Sequence, residues 1–508
     1  MASQPTWARP RQVALIILAY LGLHVGVRLW IGPTLGLDDA EQALFAQQWL
    51  LNYRFRAPPL FTWALLASGQ LTDINALTIS LLRYGLLAMI AGFTYLTARA
   101  LIRDPRLAAL ATFSFAAIYV FGYYSHHDLT HTTVLSAFLA ASWYAFVRLC
   151  EKPSLGRYLA LGGAFGLGLL GKWNFMMFAI ALPLACLTQP RERGLVLNWR
   201  ILPAGLVTAA IALPSALWAL HVGPAVGDGL GTLLGEPALS RLGGFVLGSA
   251  DLLLAAVVYP MPFLAIFLAV LGPAAWRGLK ASAAPAPAEP IISAQLIAWV
   301  MGIALILHWL LVPLAGATNF SERLLQPALQ ILPIYLFMLV DRAGASERAL
   351  SLYAHAIAIV VLVAIIARII VQAACPGACR ALVPFQDVAQ HLSAAGFGGS
   401  GTIVVSDFHV GGNMRVQFPQ ARLVEISYPP RVWPPPSGHG QCLVLWPAKG
   451  NVEVALDTYL SRDLGVPADA RRREGELIIP LPVSLPGAKT RAYRLFYRLY
   501  EESQGDCR

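Results

Sequence analysis

The sequence predicts a polytopic α-helical membrane protein with a small C-terminal α/β domain. Three observations carry that prediction. Of 508 residues, 57% are hydrophobic and 13% charged, against roughly 45–50% and about 25% in soluble globular domains. Mean hydropathy is +0.61. Long apolar runs recur from residue 12 to residue 371, and beyond 372 they give way to short β-like ones.

Crossing about 30 Å of hydrocarbon takes roughly 20 apolar residues, and the chain offers about eleven such runs. They cover approximately 12–31, 77–98, 107–124, 130–147, 157–171, 173–188, 201–220, 253–275, 292–315, 324–340 and 349–371. Lys172 splits one long apolar region into the fifth and sixth. The first run has little positive charge ahead of it and no small-residue cleavage site, so it reads as a retained anchor. Basic residues occupy every second loop: Arg9 and Arg11; Arg99, Arg103 and Arg106; Arg148, Lys152 and Arg157; Arg191, Arg193 and Arg200; Arg277 and Lys280; Arg342 and Arg348. Loops of that kind stay cytoplasmic, and eleven spans from a cytoplasmic start place the tail outside. The net charge of +10 is then largely a topology signal, with some contact to anionic headgroups; it does not read as nucleic-acid binding. The expected domains are 1–371, with an interfacial external loop at 37–75, and 372–508.

In the tail, β-like runs stand at 402–405, 423–426, 442–445 and 477–479, with helical patterns near 385–395 and 452–462. Tyr428-Pro429-Pro430 and Trp433 to Pro436 read as loops, and Ala281 to Pro290 as a flexible connector. Cys150 and Cys186 fall at cytoplasmic span ends, whereas Cys375, Cys379, Cys442 and Cys507 lie in the external tail, where disulfides form. Pairing Cys375 with Cys379 and Cys442 with Cys507 is one of three connectivities that four cysteines allow. No His accompanies them at zinc spacing. Gly396 to Gly401 matches the glycine pattern of dinucleotide-binding loops, but it precedes a strand, whereas the phosphate-binding version follows a strand and opens a helix.

Polar residues collect on the external face. Asp38, Asp39 and Glu41 open a helical stretch through Leu44, Phe45 and Trp49 whose pattern suits the membrane interface. Helix capping by Asp38, with acids at the positive end of the dipole, explains the same pair. Arg54 and Arg56 then precede Pro58-Pro59; they serve as a lipid-touching rim or, with the acids, as a phosphate site. The second external loop reads His126-His127-Asp128-Leu129-Thr130-His131. Consecutive histidines point apart, so a metal site is not the favoured reading, and Asp128 either caps the following helix or reaches a cavity. Lys172 either snorkels to the interface or holds a lipid-linked phosphate. Glu322 and Arg323 open a span, where Arg is the unfavourable partner of a helix dipole. Tyr259-Pro260-Met261-Pro262 breaks the eighth span, as a kink or as backbone lining a cavity.

In this order these motifs resemble the bacterial branch of the family 39 glycosyltransferases. They are the acidic pair with Ala40-Glu41, Arg56-Ala57-Pro58-Pro59-Leu60 with Trp63, His127-Asp128-Leu129-Thr130, Gly168 to Lys172, and Glu322-Arg323-Leu324-Leu325-Gln326-Pro327. The protein O-mannosyltransferases and the lipid A aminoarabinose transferase are related to that branch. The resemblance covers about the first 340 residues and implies a C-type glycosyltransferase fold in a bacterial inner membrane, an active site on the periplasmic face, and a polyprenyl-phosphate sugar as donor. It makes Asp38 the leading catalytic carboxylate and Asp39 the second acidic position, and it matches Asp128, Lys172 and Arg323 to further polar positions. Ala57 departs from relatives that carry Lys before the first proline; Arg56 or Lys172 would replace that cation here.

The chemistry follows. The leaving polyprenyl phosphate gains negative charge, which Lys172, Arg323 and Arg56 are placed to stabilise. Asp38 takes the acceptor hydroxyl proton in a direct, inverting displacement, with Asp39 or Asp128 orienting the acceptor and Glu41, His127, Tyr259 and Glu322 in support. No cofactor is required; a divalent metal stays open as an alternative, though nothing indicates one. The acceptor is lipid A, another lipid, a glycan or a protein. A transporter or flippase of lipid-linked sugars is the alternative; it predicts buried charges at mid-membrane and repeated halves with broken helices, which the sequence does not display.

Overall fold

A computed structural model describes residues 6–54, 58–221, 240–281, 291–374, 380–448, 452–482, 491–500 and 505–507. They divide into two compact units. One comprises Met1–His24, Arg54–Leu60 and Tyr84–Ile366, and the other Val25–Tyr53, Phe61–Arg83 and Ala367–Arg508.

The first unit is helical. Among the described residues, eight helices of the chain are long and apolar enough to cross a membrane: α1 (Pro10–Ile31), α4 (Ala76–Leu101), α7 (Thr130–Glu151), α11 (Ile201–His221), α12 (Arg241–Val258), α13 (Phe263–Ala281), α14 (Ala294–Ala315) and α17 (Glu347–Ala374). The fifth and sixth expected runs appear as the shorter apolar helices α8 (Leu155–Gly171) and α9 (Phe175–Thr188).

Three expected spans are corrected, and one of them, 324–340, is two short helices, Gln326–Leu329 and Leu332–Ala343, with Pro327 and Pro333 in their first turns. Residues 107–124 form no single helix but α5 (Pro105–Phe113), a 3-10 turn Ser114–Ala117, α6 (Tyr119–Gly122) and a second 3-10 turn Tyr124–His126. The backbone freed by that break is satisfied elsewhere: Ile118 bridges to Pro262, and the Tyr119 amide donates to the Met261 carbonyl at 3.1 Å. Irregular backbone at membrane depth survives only where protein satisfies it. Gly122 is required here, since a Cβ would lie 2.0 Å from the Ala116 carbonyl oxygen. The single span expected at 253–275 is two helices, α12 and α13, parted at Tyr259–Pro262, where two prolines lack the amide a continuing helix needs. Asp251 masked the first of them by putting a charge into an apolar run.

Some of the basic loops of this unit are joined in pairs. Arg106 bonds Asp104 and Glu347 at 2.8 and 2.6 Å, Asp341 accepts from the amides of Arg103 and Asp104 at 3.1 and 3.0 Å, and the Tyr158 hydroxyl donates to the Leu195 carbonyl at 2.8 Å.

The second unit contains a five-stranded sheet of order β2-β1-β3-β5-β4. Strands β1 (Gly401–Val405), β2 (Ala421–Glu425) and β3 (Gln441–Pro447) are parallel, and β5 (Ala492–Tyr500) runs antiparallel to β3 and β4 (Arg472–Pro480). The four expected runs are strands, and the expected helices are α18 (Phe385–Ala394) and α20 (Val452–Arg462). β5 mixes aromatics with Arg494, Arg498 and two separated leucines instead of showing an aliphatic run, and α19 (Phe408–Gln417) hides behind Gly411-Gly412; both escape the sequence reading. Gly396 to Ser400 is a loop feeding β1, whose first residue is Gly401, where a Cβ would meet the Gln441 carbonyl at 2.1 Å. Cys442 bonds Cys507, tying the chain end to β3; Cys375, Cys379 and most of the 281–290 connector lie outside the described residues. The same unit holds α2 (Leu37–Phe45) and α3 (Leu60–Gly69), and the apolar residues of α2 pack on α19.

Candidate active site

The acidic motif lies in the second unit. Asp38 is not the N-cap residue: that position is Gly36, and both aspartates stand in the first turn of α2. Adjacent residues on a helix point about 100° apart, so one carboxylate turns inward and the other outward. Asp39 is 2% exposed and forms an ion pair with Arg83, itself 2% exposed. Burial pushes the Asp39 carboxyl up, while Arg83 and then Arg28 pull it down. Arg28 is fixed by bonds to the carbonyls of Gly32 and Thr34, at 2.8 and 2.7 Å. Asp38 is half-exposed. Glu41 accepts from the Tyr428 hydroxyl at 2.6 Å, and Gln42 from Thr62 at 2.6 Å.

The cationic residues lie in the first unit, where four segments converge. Asp128 is not a helix cap either: the N-cap of α7 is Leu129, whose φ of 73° is left-handed and strained for a branched side chain. That turn sets the direction of the half-exposed Asp128 and His127. Lys172 follows the last turn of α8 and donates to Thr132 Oγ1 at 3.1 Å, so it points to the start of α7. Gly171 permits this, since a Cβ there would come within 2.7 Å of Val134. Two residues on, Asn174 Nδ2 donates to the Leu324 carbonyl at 3.1 Å, and His308 Nε2 reaches the same oxygen at 3.0 Å. Leu324 closes the 3-10 turn Glu322–Leu324, so Arg323 is presented from a backbone held by two side chains. Its guanidinium carbon lies 5.7 Å from the Tyr124 ring centre, and Tyr124 contacts His127 and Tyr119. The other end of the same loop is pinned by Asp251 of α12, whose carboxylate accepts from the Phe320 amide. Tyr259 is fully buried, in the 258–262 turn that receives the Tyr119 amide.

Within the first unit an apolar cavity of about 700 Å³ runs between α1, α4, α5 and α17, lined by Ile16, Leu87, Leu110, Phe121 and Ile357 among others. His126 also lines it, bonded to the Tyr20 hydroxyl at 2.8 Å and stacked on His24. His126 closes the 3-10 turn that Tyr124 opens, so the cavity begins one turn from the aromatic partner of Arg323.

Residues 56–218 match the family model described as dolichyl-phosphate-mannose-protein mannosyltransferase. The lipopolysaccharide core galacturonosyltransferase RgtA of Rhizobium johnstonii is 29% identical over 92% of this chain and 94% of its own. RgtB of the same organism, of the same description, is 30% identical over 68% of this chain and 69% of its own. The chain belongs to the family 39 glycosyltransferases. This family 39 glycosyltransferase also shares its fold with ArnT from Cupriavidus metallidurans, solved with undecaprenyl phosphate bound, at a TM-score of 0.56 over 97% of this chain and 98% of that one, with 14% identity.

The structure of this glycosyltransferase thus brings His127, Asp128, Lys172, Glu322 and Arg323 together in one unit, and Asp38, Asp39 and Glu41 in the other. Arg56 lies outside the described residues. The sequence reading missed Arg83, Asp251, Asn174 and Tyr124. Arg83 and Asp251 carried a signal, a lone ionisable residue inside an apolar run; Asn174 and Tyr124 carried none. Among the described residues no group of three His, Cys, Asp or Glu side chains could hold a metal ion.

Proposed function

We propose that this family 39 glycosyltransferase moves a sugar from a polyprenyl-phosphate donor to lipopolysaccharide on the periplasmic face of a bacterial inner membrane, with inversion and without a metal. The observation that carries the reading is the cationic cluster, in which Asn174 ties the Lys172 segment to the Arg323 turn. Fixed cations stabilise the charge that a departing phosphate gains, and Arg56 is proposed to join them. The adjacent apolar cavity offers room for isoprenoid units. The likeness to ArnT favours a lipid-linked donor, and the likeness to RgtA and RgtB favours a lipopolysaccharide acceptor, with galacturonic acid the first sugar to test. The Cys442–Cys507 bond supports a tail in an oxidising compartment.

In the proposed step the acceptor hydroxyl oxygen attacks the anomeric carbon as the bond from that carbon to the phosphate oxygen breaks. The hydroxyl proton passes to Asp38, and the polyprenyl phosphate leaves with the electron pair. Asp39 and Asp128 supply electrostatic support and acceptor orientation. Purified full-length protein given polyprenyl-phosphate galacturonic acid and lipopolysaccharide should release polyprenyl phosphate and extend the acceptor. Asp38→Asn should abolish both while membrane insertion stays intact. Wild-type turnover in that variant would remove Asp38 from the mechanism, and donor crossing vesicles unconsumed would make the protein a flippase.

A further inference from the structure

Helix α2, which bears the acidic pair, is nine residues long and has no side-chain N-cap. Isolated helices shorter than about 12–15 residues are marginal in water, so its position must come from what it packs against. That partner is the tail, which grips α2 before it starts, along its length and after it ends.

Before the helix, both backbone polar groups of Leu35 are taken. Its amide donates to Asn413 Oδ1 at 2.8 Å, and its carbonyl accepts from His409 Nε2 at 3.0 Å and from Asn413 Nδ2 at 3.4 Å. Asn413 is itself locked by a bond to the His409 carbonyl at 2.9 Å. Thr34 adds a bond to the Val383 carbonyl at 2.7 Å. Along the helix, two adjacent glycines let α19 touch α2 backbone to backbone. A Cβ on Gly412 would lie 1.9 Å from the Ala40 carbonyl oxygen, and one on Gly411 3.1 Å from Leu44. Ala40 is the residue after Asp39. On the next residue Tyr428 holds Glu41, and one turn further Phe45 packs on the Tyr428 and Trp433 rings. After the helix, the Gln47 carboxamide bonds both the amide and the carbonyl of Leu423, at 2.8 and 3.0 Å, adding a rung to edge strand β2. Gln48 bonds the Val432 carbonyl at 2.9 Å.

We propose that the tail positions the Asp38–Asp39 helix for transfer, with Gly412, Asn413 and Tyr428 as positioning residues. Gly412 sets the distance of the helix from the sheet, Asn413 fixes its starting backbone, and Tyr428 fixes its rotation through Glu41. None of them touches substrate; each acts through the 35–47 backbone. The inference rests on the proposed role of Asp38 as base.

The test uses the full-length enzyme with polyprenyl-phosphate galacturonic acid. A displacement of order 1 Å costs about 10²-fold in rate, so Gly412→Ala and Asn413→Leu should lower kcat by about that factor with donor KM unchanged. Asn413→Asp keeps the acceptor for the Leu35 amide and should recover part of the loss. Hydrogen exchange in α2 should accelerate in both impaired variants while β1 and β3 stay protected. Tyr428→Phe removes one hydroxyl and leaves the ring packing, so it should fold and lose about tenfold in kcat. Combining it with Glu41→Gln should cost no more than either alone. Folded variants with wild-type kcat, a loss confined to KM, or additive losses at Tyr428 and Glu41 would each overturn the proposal. Asp38→Asn in the same series separates the two ideas: if it stays active, the role of Asp38 fails; if it is inactive while the glycine and asparagine variants run normally, only the positioning fails.

Discussion

Replacing Arg83 by methionine should damage folding, whereas replacing Asp38 by asparagine should damage only turnover, because the two aspartates stand in opposite environments. Arg83 and Asp39 have side chains 2% and 3% exposed and are paired with each other. Removing one partner of a buried pair leaves a desolvated charge and costs about 3–5 kcal/mol. In Arg83→Met that charge is Asp39, and Arg28 is left as its principal counterweight. The variant can relieve the cost by protonating Asp39. With Arg83 gone, burial raises the Asp39 carboxyl further above its ordinary value of 3.8, so the folded state binds the proton more readily than the unfolded chain. The added destabilisation is therefore smallest at low pH and grows as pH rises through the raised value. Asp39→Asn combined with Arg83→Met removes both charges and should recover most of the loss. The assay is thermal unfolding of full-length protein in detergent at pH 5.5 and 8, beside sugar transfer. An Arg83→Met protein with wild-type melting at pH 8, or a deficit that grows on acidification, would refute the reasoning.

Other outcomes follow from the same geometry. Lys172→Ala and Arg323→Ala should each lower kcat about 10²-fold in the transfer assay, and Arg323→Lys should restore little, since lysine keeps the charge but loses the planar face that meets Tyr124. His409 is buried and its imidazole is pushed down to about 4 from 6.5, so the unfolded chain takes up the proton first; stability is whole above 6.5 and falls as pH drops towards 4. By pH 5 the loss is about 2 kcal/mol, and melting of His409→Gln should show a flatter pH dependence than wild type. Chelation with EDTA should leave transfer at its full rate; a loss restored by one added divalent cation would call for a metal in the mechanism.

What the sequence made legible was local. Long apolar runs gave the membrane class, and clustered Val, Ile and Leu gave four strands, because each signal is contained in one stretch of chain. Several misreadings involve partners far apart. The break at residue 118 is stabilised by Pro262 and Met261, which no window over 107–124 contains. The acidic pair looked like a helix cap because Arg83, which decides its inner member, lies 44 residues away. Gln47, an unremarkable polar residue after a helix, becomes part of a sheet edge through Leu423, 376 residues on. The order of the motifs was nevertheless enough to reach the family, since order survives where individual contacts cannot be read.

The division of the chain into two units has a kinetic consequence under the proposed function. The residues proposed to hold the phosphate, Lys172 and Arg323, are fixed by Thr132, Asn174, His308 and Asp251, all within the helical unit. The proposed base is fixed by Asn413, Gly412 and Tyr428, all within the unit that contains the sheet. Phosphate ligands contribute to binding the donor as well as to its departure, so weakening their supports should move KM and kcat together. A base contributes only when the acceptor proton moves, so weakening its supports should move kcat alone and should alter the acid limb of the pH–rate profile. His308→Ala and Asn413→Leu are therefore the informative pair: the first loosens the Arg323 turn and should raise donor KM, and the second should not. Identical kinetic signatures from the two would mean that the units do not divide the chemistry in this way.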